Sequence, residues 1–224
     1  MSQTPQILLH QVSFSLPDGR CVLNPLSLSL STHKIGIVGK NGVGKSTVFK
    51  LITGELAPTQ GNLDIQGTLF YVPQTPLIPT GKTVADFFDL SAKLLALQHI
   101  TSGQLTEHDL TILDEDWMVG ERLKQALQYF GLEYLNADHL LSKCSGGELT
   151  RLALSKAFLS SADFLLLDEP TNHLDSTGRQ QLYHAITQWR GGVIVISHDR
   201  TLLNLKLGRS VTISTTSAIL IADT

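Results

Sequence analysis

Cysteine and long apolar runs are both scarce in this sequence, and each absence argues against a class of protein. The two cysteines, Cys21 and Cys144, are far apart and form no C-x-x-C or metal-ligand pattern, which favours free thiols in a reducing compartment over a disulfide. No window reaches the ~18 apolar residues that a membrane-spanning helix needs. The N-terminus lacks the basic region and apolar stretch of a secretory signal. These absences predict a cytoplasmic protein without a transmembrane segment of its own.

Charge of either sign is also limited. Charged residues make up 17% of the 224 residues, and the net charge is −3. No global electrostatic feature therefore favours nucleic acid or an anionic membrane as a partner. The 42% hydrophobic fraction is that of an ordinary globular protein. The length suits one generous domain with a substantial core.

The periodicity of the apolar residues predicts an α/β fold. "ILLHQVSFSL" and "CVLNPLSLSLS" alternate apolar and polar residues on either side of the turn "PDGR", which predicts an antiparallel hairpin. Later, the apolar runs "KIGIVG", "DFLLLD" and "GGVIVISHD" are separated by helical patterns. Such alternation is typical of an α/β fold with a mostly parallel core sheet and right-handed crossovers.

The segment from Thr83 to about residue 144 has a different pattern. "TVADFFDLSAKLLALQ", "LTEHDLTIL" and "DWMVGERLKQALQYFG" are amphipathic, and each predicts a helix. We therefore predict a single domain over 1–224. Residues 1–82 and 145–224 form its α/β body, with the antiparallel β part near the N-terminus, and 83–144 form an inserted helical lobe. Residues 205–224 are strand-like, but their place in the fold is not predicted.

A glycine-rich stretch, "GKNGVGKST", follows one predicted strand and precedes a helical pattern. It has the G-x-x-x-x-G-K-[ST] spacing of a phosphate-binding loop (P-loop), whose backbone N–H groups and following helix N-terminus face phosphate oxygens, and it predicts that the α/β fold is that of a P-loop NTPase. Lys45 can then reach the β- and γ-phosphates, and the Ser46 hydroxyl can bind Mg²⁺. The alternative is a glycine-rich turn with an incidental lysine. The predicted nucleotide-binding residues of this loop are Gly39, Lys40, Asn41, Gly42, Val43, Gly44, Lys45, Ser46 and Thr47.

Two adjacent carboxylates, Asp168 and Glu169, end the apolar run "FLLL". Placing such a pair at the end of a buried strand costs free energy unless a positively charged group lies beside it. The alternative is a solvated pair in a loop. With a phosphate loop upstream, we expect Asp168 to hold Mg²⁺ through water, from a strand beside the one that ends at Gly39. Glu169 is expected to orient or deprotonate the attacking water.

A second stretch suited to anions, "CSGGE", opens a predicted helix upstream of "LLLDEP". Its serine hydroxyl, its glycines and the helix N-terminus predict a second phosphate site, which serves a different molecule's nucleotide. Taken in order, "GKNGVGKST", "YVPQ", "CSGGE", "LLLDEPTNHLD" and "ISHD" resemble the motifs of an ATP-binding cassette (ABC) ATPase domain. The resemblance spans roughly residues 7–198.

The resemblance implies roles for residues that the spacing alone does not single out. Gln74 matches the glutamine that touches Mg²⁺ and reports the state of the γ-phosphate. His198 matches the switch histidine that contacts the γ-phosphate. The implied ligands are ATP and Mg²⁺, and the implied catalytic residues are Glu169, His198 and Lys45. The implied metal-binding residues are Ser46, Gln74 and Asp168.

The resemblance also implies a partner. Asp175 matches the aspartate of a loop that crosses the interface between two cassettes. A second cassette, as a homodimer or as a separate chain, is therefore implied, and ATP hydrolysis is expected to require this pairing. The residues that match the signature loop, which closes over ATP held by the partner cassette, are Ser145, Gly146, Gly147 and Glu148.

Within the superfamily, "DEPTNHLD", "SGGE" and "SHDR" are similar to the ABC-F branch, whose members carry two fused cassettes and act on ribosomes. This implies a role at the ribosome, with RNA as a possible contact, although the acidic net charge does not favour RNA. One alternative is the ATPase subunit of an ABC transporter, which docks a membrane permease. Another is a nucleotide-binding interaction module that hydrolyses poorly. Leu16 aligns with the family's usual aromatic contact to adenine.

Overall fold

The computed structural model of the chain describes residues 4–31, 33–76, 81–204, 209–213 and 218–221. The described chain forms two compact units. The first comprises the chain up to Gln74, Ser160–Asn172, and the chain from Leu182 onward; the second comprises Thr75–Leu159 and His173–Gln181. The helical lobe predicted from the sequence, 83–144, falls within the wider second unit.

All described strands belong to the first unit, which we call the β unit. They are β1 (Gln6–Ser15), β2 (Cys21–Leu30), β3 (Lys34–Val38), β4 (Gln60–Gln66), β5 (Leu69–Val72), β6 (Phe164–Asp168), β7 (Gly192–Ile196), β8 (Arg209–Ile213) and β9 (Ala218–Ile221). The second unit, which we call the helical unit, contains most of the helices. In chain order the helices are α1 (Lys45–Ile52), α2 (Val84–Phe87), α3 (Ser91–Thr101), α4 (Glu107–Leu113), α5 (Val119–Tyr129), α6 (Gly146–Leu159), α7 (Ser176–Gln188) and α8 (Arg200–Leu203). Helices α1 and α8 lie in the β unit, and the boundary between the units falls within α7.

A three-stranded antiparallel sheet forms one part of the β unit, with the strand order β2-β1-β4. Strands β1 and β2 pair as the predicted hairpin, which is confirmed. The turn closes when the Gly19 N–H donates to the Leu16 carbonyl at 2.9 Å. Alternate side chains of the hairpin, such as Ile7 and Leu30, are fully buried, as the period of two in the sequence predicts.

A six-stranded sheet forms the rest of the β unit, in the order β5-β6-β7-β3-β8-β9. Its first five strands are parallel and β9 is antiparallel, so the mostly parallel α/β fold is confirmed. One expectation is wrong: β6, which ends at Asp168, does not lie beside β3, because β7 pairs with both. Both β6 and β7 are buried along their whole length, so their apolar runs carry no information about their order.

Helix α1 packs its apolar face into the core of this unit, where Val48 and Phe49 are fully buried. Burial of one such side chain contributes roughly 1.5–3 kcal/mol. The helical spacing in the sequence runs to Leu56, but the helix ends at Ile52. Gly54, with φ of 77°, donates its N–H to the Leu51 carbonyl and turns the chain away, as glycine does at helix ends.

The helical unit has its own core, in which Leu123, Leu127 and Leu152 are buried together. The sequence predicted one helix over "TVADFFDLSAKLLALQ", but the structure contains two, α2 and α3. Asp89 between them has φ of 59°, a left-handed conformation that interrupts a right-handed helix. Across the described residues, no helix combines the length and the apolar character that crossing a membrane requires.

Candidate functional site

The candidate site lies where three neighbouring parallel strands end. Strand β3 leads into the glycine-rich loop, β6 ends at Asp168, and β7 is followed by His198. The carboxyl ends of parallel neighbours meet at one edge of a sheet, where α/β folds commonly bind ligands. A cavity of about 550 Å³ opens at this edge, within the usual size range of ligand sites. It is lined by Val22, Asn41, Gly42, Gly44, Lys45, Ser46, Thr47, Gln74, Asp168, Glu169, Asn172, Ile196 and His198.

Two glycines allow the loop to follow its path. Gly44 has φ of 96°, and a Cβ there would lie 2.9 Å from the Val22 carbonyl oxygen. A Cβ at Gly39 would lie only 2.4 Å from the carbonyl oxygen of Ile213, the last residue of β8. The second of these distances is shorter than any tolerated contact. The loop therefore packs against β2 and β8 in a way that only glycine allows.

Lys45, the first residue of α1, is 7% exposed. Its ammonium group donates to the carbonyl oxygens of Gly39 at 2.8 Å and Lys40 at 3.0 Å. The same Nζ lies 3.5 Å from Nε2 of His198. The positive charge predicted for the cavity is thus present, and in this structure two carbonyl oxygens of the loop accept its hydrogen bonds.

Asp168 is 3% exposed, and its two carboxylate oxygens differ. Oδ2 accepts from the Tyr71 hydroxyl at 3.4 Å, whereas Oδ1 is buried and makes no hydrogen bond with any described residue. Burial raises the pKa of this carboxyl group. The nearby hydroxyl groups of Ser46 and Tyr71 oppose this rise in the pKa. The Ser46 hydroxyl does not reach hydrogen-bonding geometry with Oδ1, which is left without a partner among the described residues.

A buried oxygen without a partner is costly, and a divalent cation would satisfy it. Mg²⁺ prefers hard oxygen ligands and commonly takes one or two protein groups together with substrate phosphates. The carboxylate of Asp168, the hydroxyl of Ser46 and the side-chain oxygen of Gln74 all line the cavity. The donor set therefore fits magnesium held together with a nucleotide.

Glu169 follows Asp168 with φ of 46°, a strained conformation for a residue other than glycine. Its N–H donates to the Ile196 carbonyl at 2.8 Å, which fixes this turn against β7. Burial raises the pKa of the Glu169 carboxyl group, and the nearby His198 opposes the rise. Oε1 lies 3.3 Å from Nε2 of His198, and Oε2 accepts from the His198 N–H at 3.4 Å.

His198 is also held by the glycine-rich loop. Its Nε2 lies 2.9 Å from Oδ1 of Asn41. Because an amide oxygen only accepts, this contact is a hydrogen bond in the tautomer that carries its proton on Nε2. His198 therefore links the loop to Glu169, a connection that the motif spacing alone did not predict.

The four residues that match the signature loop lie in the helical unit, at the start of α6. Ser145 donates its hydroxyl and its backbone N–H to Oε2 of Glu148, both at 2.6 Å, in a capping box. Tyr134 donates its hydroxyl to Oε1 of Glu148 at 2.5 Å. These hydrogen bonds lower the pKa of Glu148 to about 2, so its carboxylate is charged at neutral pH.

The two glycines of this segment differ in what surrounds them. A Cβ at Gly147 would lie 2.8 Å from the His173 carbonyl oxygen, so internal packing requires glycine there. A Cβ at Gly146 would meet no atom within 4 Å. On the same helix, Arg151 donates to Oδ1 of Asp175 at 2.7 Å, which joins α6 to the loop before α7.

The sequence predicted most of the residues that line the cavity. Three predicted members of the loop, Gly39, Lys40 and Val43, do not line the cavity. From the hairpin, Val22 on β2 lines the cavity and Leu16 does not. Tyr71, whose hydroxyl group contacts Asp168, was not predicted, although it belongs to the motif "YVPQ" that contains Gln74.

Comparison with known proteins is consistent with this geometry. Residues 23–172 match the sequence profile of the ABC transporter family. The tylosin resistance ATP-binding protein TlrC of Streptomyces fradiae is 36% identical over 227 residues, which cover 91% of this chain and 41% of TlrC. The energy-dependent translational throttle protein EttA of Mycobacterium tuberculosis is 32% identical over 205 residues, 83% of this chain and 36% of EttA. The chain thus spans well under half the length of these relatives.

Solved structures show the same fold. An ATP-binding subunit of an ABC transporter superposes with a TM-score of 0.76 at 20% identity, covering 96% of this chain and 89% of that one. A bacterial Atm1-family ABC exporter with ATP bound superposes with a TM-score of 0.73 at 19% identity, covering 97% of this chain and 38% of that one. The solved structures show the fold, and the family profile and the relatives show the family: the chain belongs to the ABC family of ATP-hydrolysing domains and is a single cassette similar to ABC-F proteins.

Proposed function

We propose that this cassette binds MgATP in the cavity at the ends of β3, β6 and β7 and hydrolyses it there. The observation that carries the proposal is the convergence of Lys45, Asp168, Glu169 and His198 on one cavity, behind a loop whose path requires glycine. Phosphoryl transfer depends mainly on positioning and on stabilising charge at the γ-phosphate. A lysine, a histidine and two carboxylates at a phosphate loop supply both requirements.

In this proposal each side chain has a separate task. The Lys45 ammonium exchanges its loop carbonyls for the β- and γ-phosphate oxygens. Glu169 orients the attacking water and accepts its proton, and the Nε2–H of His198 donates to the γ-phosphate. Asp168, Ser46 and Gln74 hold the magnesium ion, which supplies charge neutralisation at the phosphates when it is bound.

We further propose that ATP joins two cassettes, with the Ser145–Glu148 segment of one closing over the nucleotide of the other. Gly146 supports this idea. Its backbone conformation does not require glycine, and among the described residues no atom from outside its own helix turn would lie within 4 Å of a Cβ there. A reason outside the chain, such as the close approach of a partner's phosphate groups to the helix N-terminus, accounts for the glycine. Hydrolysis would then reopen the dimer.

The substitution Gly146→Ala tests this closure. We expect it to leave the fold and the ATP affinity of the isolated cassette unchanged, because alanine fits the space and favours a helix. We expect it to abolish the ATP-dependent dimer of the Glu169→Gln variant, measured by analytical ultracentrifugation with and without ATP. The matched control is Gly120→Ala in α5, where a Cβ would make only ordinary contacts at 3.8 Å. If the Gly146→Ala variant dimerises normally with ATP, the closure proposal is wrong.

The physiological role that we propose is at the ribosome, as for ABC-F proteins. One relative is named a translational throttle protein and another a resistance protein for tylosin. We expect the Glu169→Gln variant to sediment with ribosomes in the presence of ATP and to remain in the supernatant with membrane vesicles. The Lys45→Ala, Glu169→Gln double variant, in which nucleotide binding is expected to be weakened, is the control and should pellet with neither at an ATP concentration that saturates only the single variant. Retention by the vesicles alone would instead support the ATPase subunit of a transporter.

A further inference from the structure

The exposed apolar side chains of this cassette are unevenly distributed. Every large apolar side chain that is exposed among the described residues lies in the helical unit. Four of them fall within a short segment that includes α4 and the turn before α5: Leu105, Leu110, Trp117 and Met118. Trp117 and Met118 are adjacent and are 50% and 59% exposed. Clustered exposed apolar residues commonly mark an interaction surface.

The same segment carries charge of a single sign. Between Lys93 and Arg122 the sequence contains six carboxylates and no lysine or arginine. Two of these carboxylates have partners: Asp109 is buried and lies 3.0 Å from Nδ1 of His99, and Asp116 pairs with both flanking cations. The other four are exposed: Glu107, Asp114, Glu115 and Glu121.

We propose that the segment 105–121, which we call the 105–121 surface, docks a basic segment of another protein. Trp and Met are enriched at protein interfaces, and Trp is among the residues that most often dominate binding energy. The face of Trp117 can receive an arginine or lysine side chain, while the four exposed carboxylates attract the same cationic partner. The salt bridges of Asp116 fix the turn that carries Trp117, so little order has to be gained on binding.

The charge argues against two other occupants. Nucleic acid requires neutralised phosphates, and an anionic membrane attracts basic segments, whereas this surface would repel both. A second copy of the chain would place carboxylates opposite carboxylates if it used the same surface. The proposal does not depend on the ATP site, and its test does not involve nucleotide.

The test uses an array of short synthetic peptides in which arginine, lysine, leucine and aromatic positions are varied. We expect the purified chain to bind peptides that combine arginine with apolar residues, and to be released as salt increases. Trp117→Ala should weaken retention by at least about tenfold, because the tryptophan is the central contact. Glu115→Lys with Glu121→Lys should weaken it most at low salt. The control is Glu55→Lys with Asp64→Lys, an equal change of charge at exposed residues of the β unit, which should retain binding.

Trp117 and the two glutamates are exposed, so these variants should fold, and thermal unfolding verifies this. If the wild type and Trp117→Ala bind the peptides equally, the binding is a nonspecific charge attraction and the proposal is wrong. Retention of no peptide would do the same. The proposal also fails if RNA oligonucleotides or anionic vesicles bind where the peptides do not. It fails equally if ultracentrifugation shows a dimer of the chain that Trp117→Ala disrupts.

Discussion

Replacing Glu169 with glutamine is expected to lower the ATPase rate by about 10²- to 10⁴-fold, the usual contribution of a general base. Glutamine has nearly the same shape but cannot accept the proton of the attacking water. ATP affinity should remain within a few-fold of wild type, because the glycine-rich loop and Lys45 are unchanged. The measurements are phosphate release under saturating MgATP and binding of a fluorescent ATP analogue.

A matched control for this substitution is Glu55→Gln, an exposed glutamate of the same unit that does not line the cavity. It should leave the rate unchanged. The wild-type rate should also depend on pH in a defined direction. Since burial raises the pKa of Glu169, acidification should protonate it, and stop hydrolysis, at a higher pH than for an exposed glutamate. A Glu169→Gln rate within tenfold of wild type would show that another group activates the water.

Replacing Lys45 with alanine is expected to weaken ATP binding by tens- to thousands-fold, equivalent to about 2–5 kcal/mol for removal of one member of a buried, hydrogen-bonded charge pair. The physical reason is the low exposure of the ammonium group, since water screens its interaction with phosphate poorly. Isothermal titration calorimetry with MgATP measures the change. ADP should lose less affinity than ATP, because it lacks the γ-phosphate that Lys45 also reaches.

Lys50→Ala is the matched control, because Lys50 lies on the same helix but is exposed. Its ATP affinity should stay within about threefold of wild type, as expected for a solvent-screened charge. If Lys45→Ala binds ATP as tightly as Lys50→Ala, the nucleotide does not occupy the glycine-rich loop, and the proposed site is wrong. Thermal unfolding without nucleotide shows whether the lost bonds to Gly39 and Lys40 also destabilise the fold.

The sequence predicted most elements of this fold and most of the residues that line the candidate cavity, because both follow from local rules. A loop that requires glycine, an apolar run that ends in carboxylates and a helix that begins with a capping box each have a short-range signature. The order of the strands does not. Nothing in the apolar runs of β6 and β7 distinguishes which of them pairs with β3.

Contacts between distant segments were also beyond the sequence. The hydrogen bond between His198 and Asn41 depends on where β7 and the loop meet in space. The strands β8 and β9 come from the part of the chain whose place could not be predicted. Their pattern is strand-like, but only the pairing of β8 with β3 shows why a strand is needed there.

The close approach of Gly39 to the carbonyl oxygen of Ile213 gives the end of the chain an importance that its composition does not suggest. Strand β8 buttresses the phosphate loop from behind, although it touches no nucleotide. Loss of β8 would leave β3 as an edge strand and would remove the backbone against which the phosphate loop packs. A truncation that removes β8, which lies outside every nucleotide-binding motif, would then inactivate the cassette as fully as a substitution within a motif.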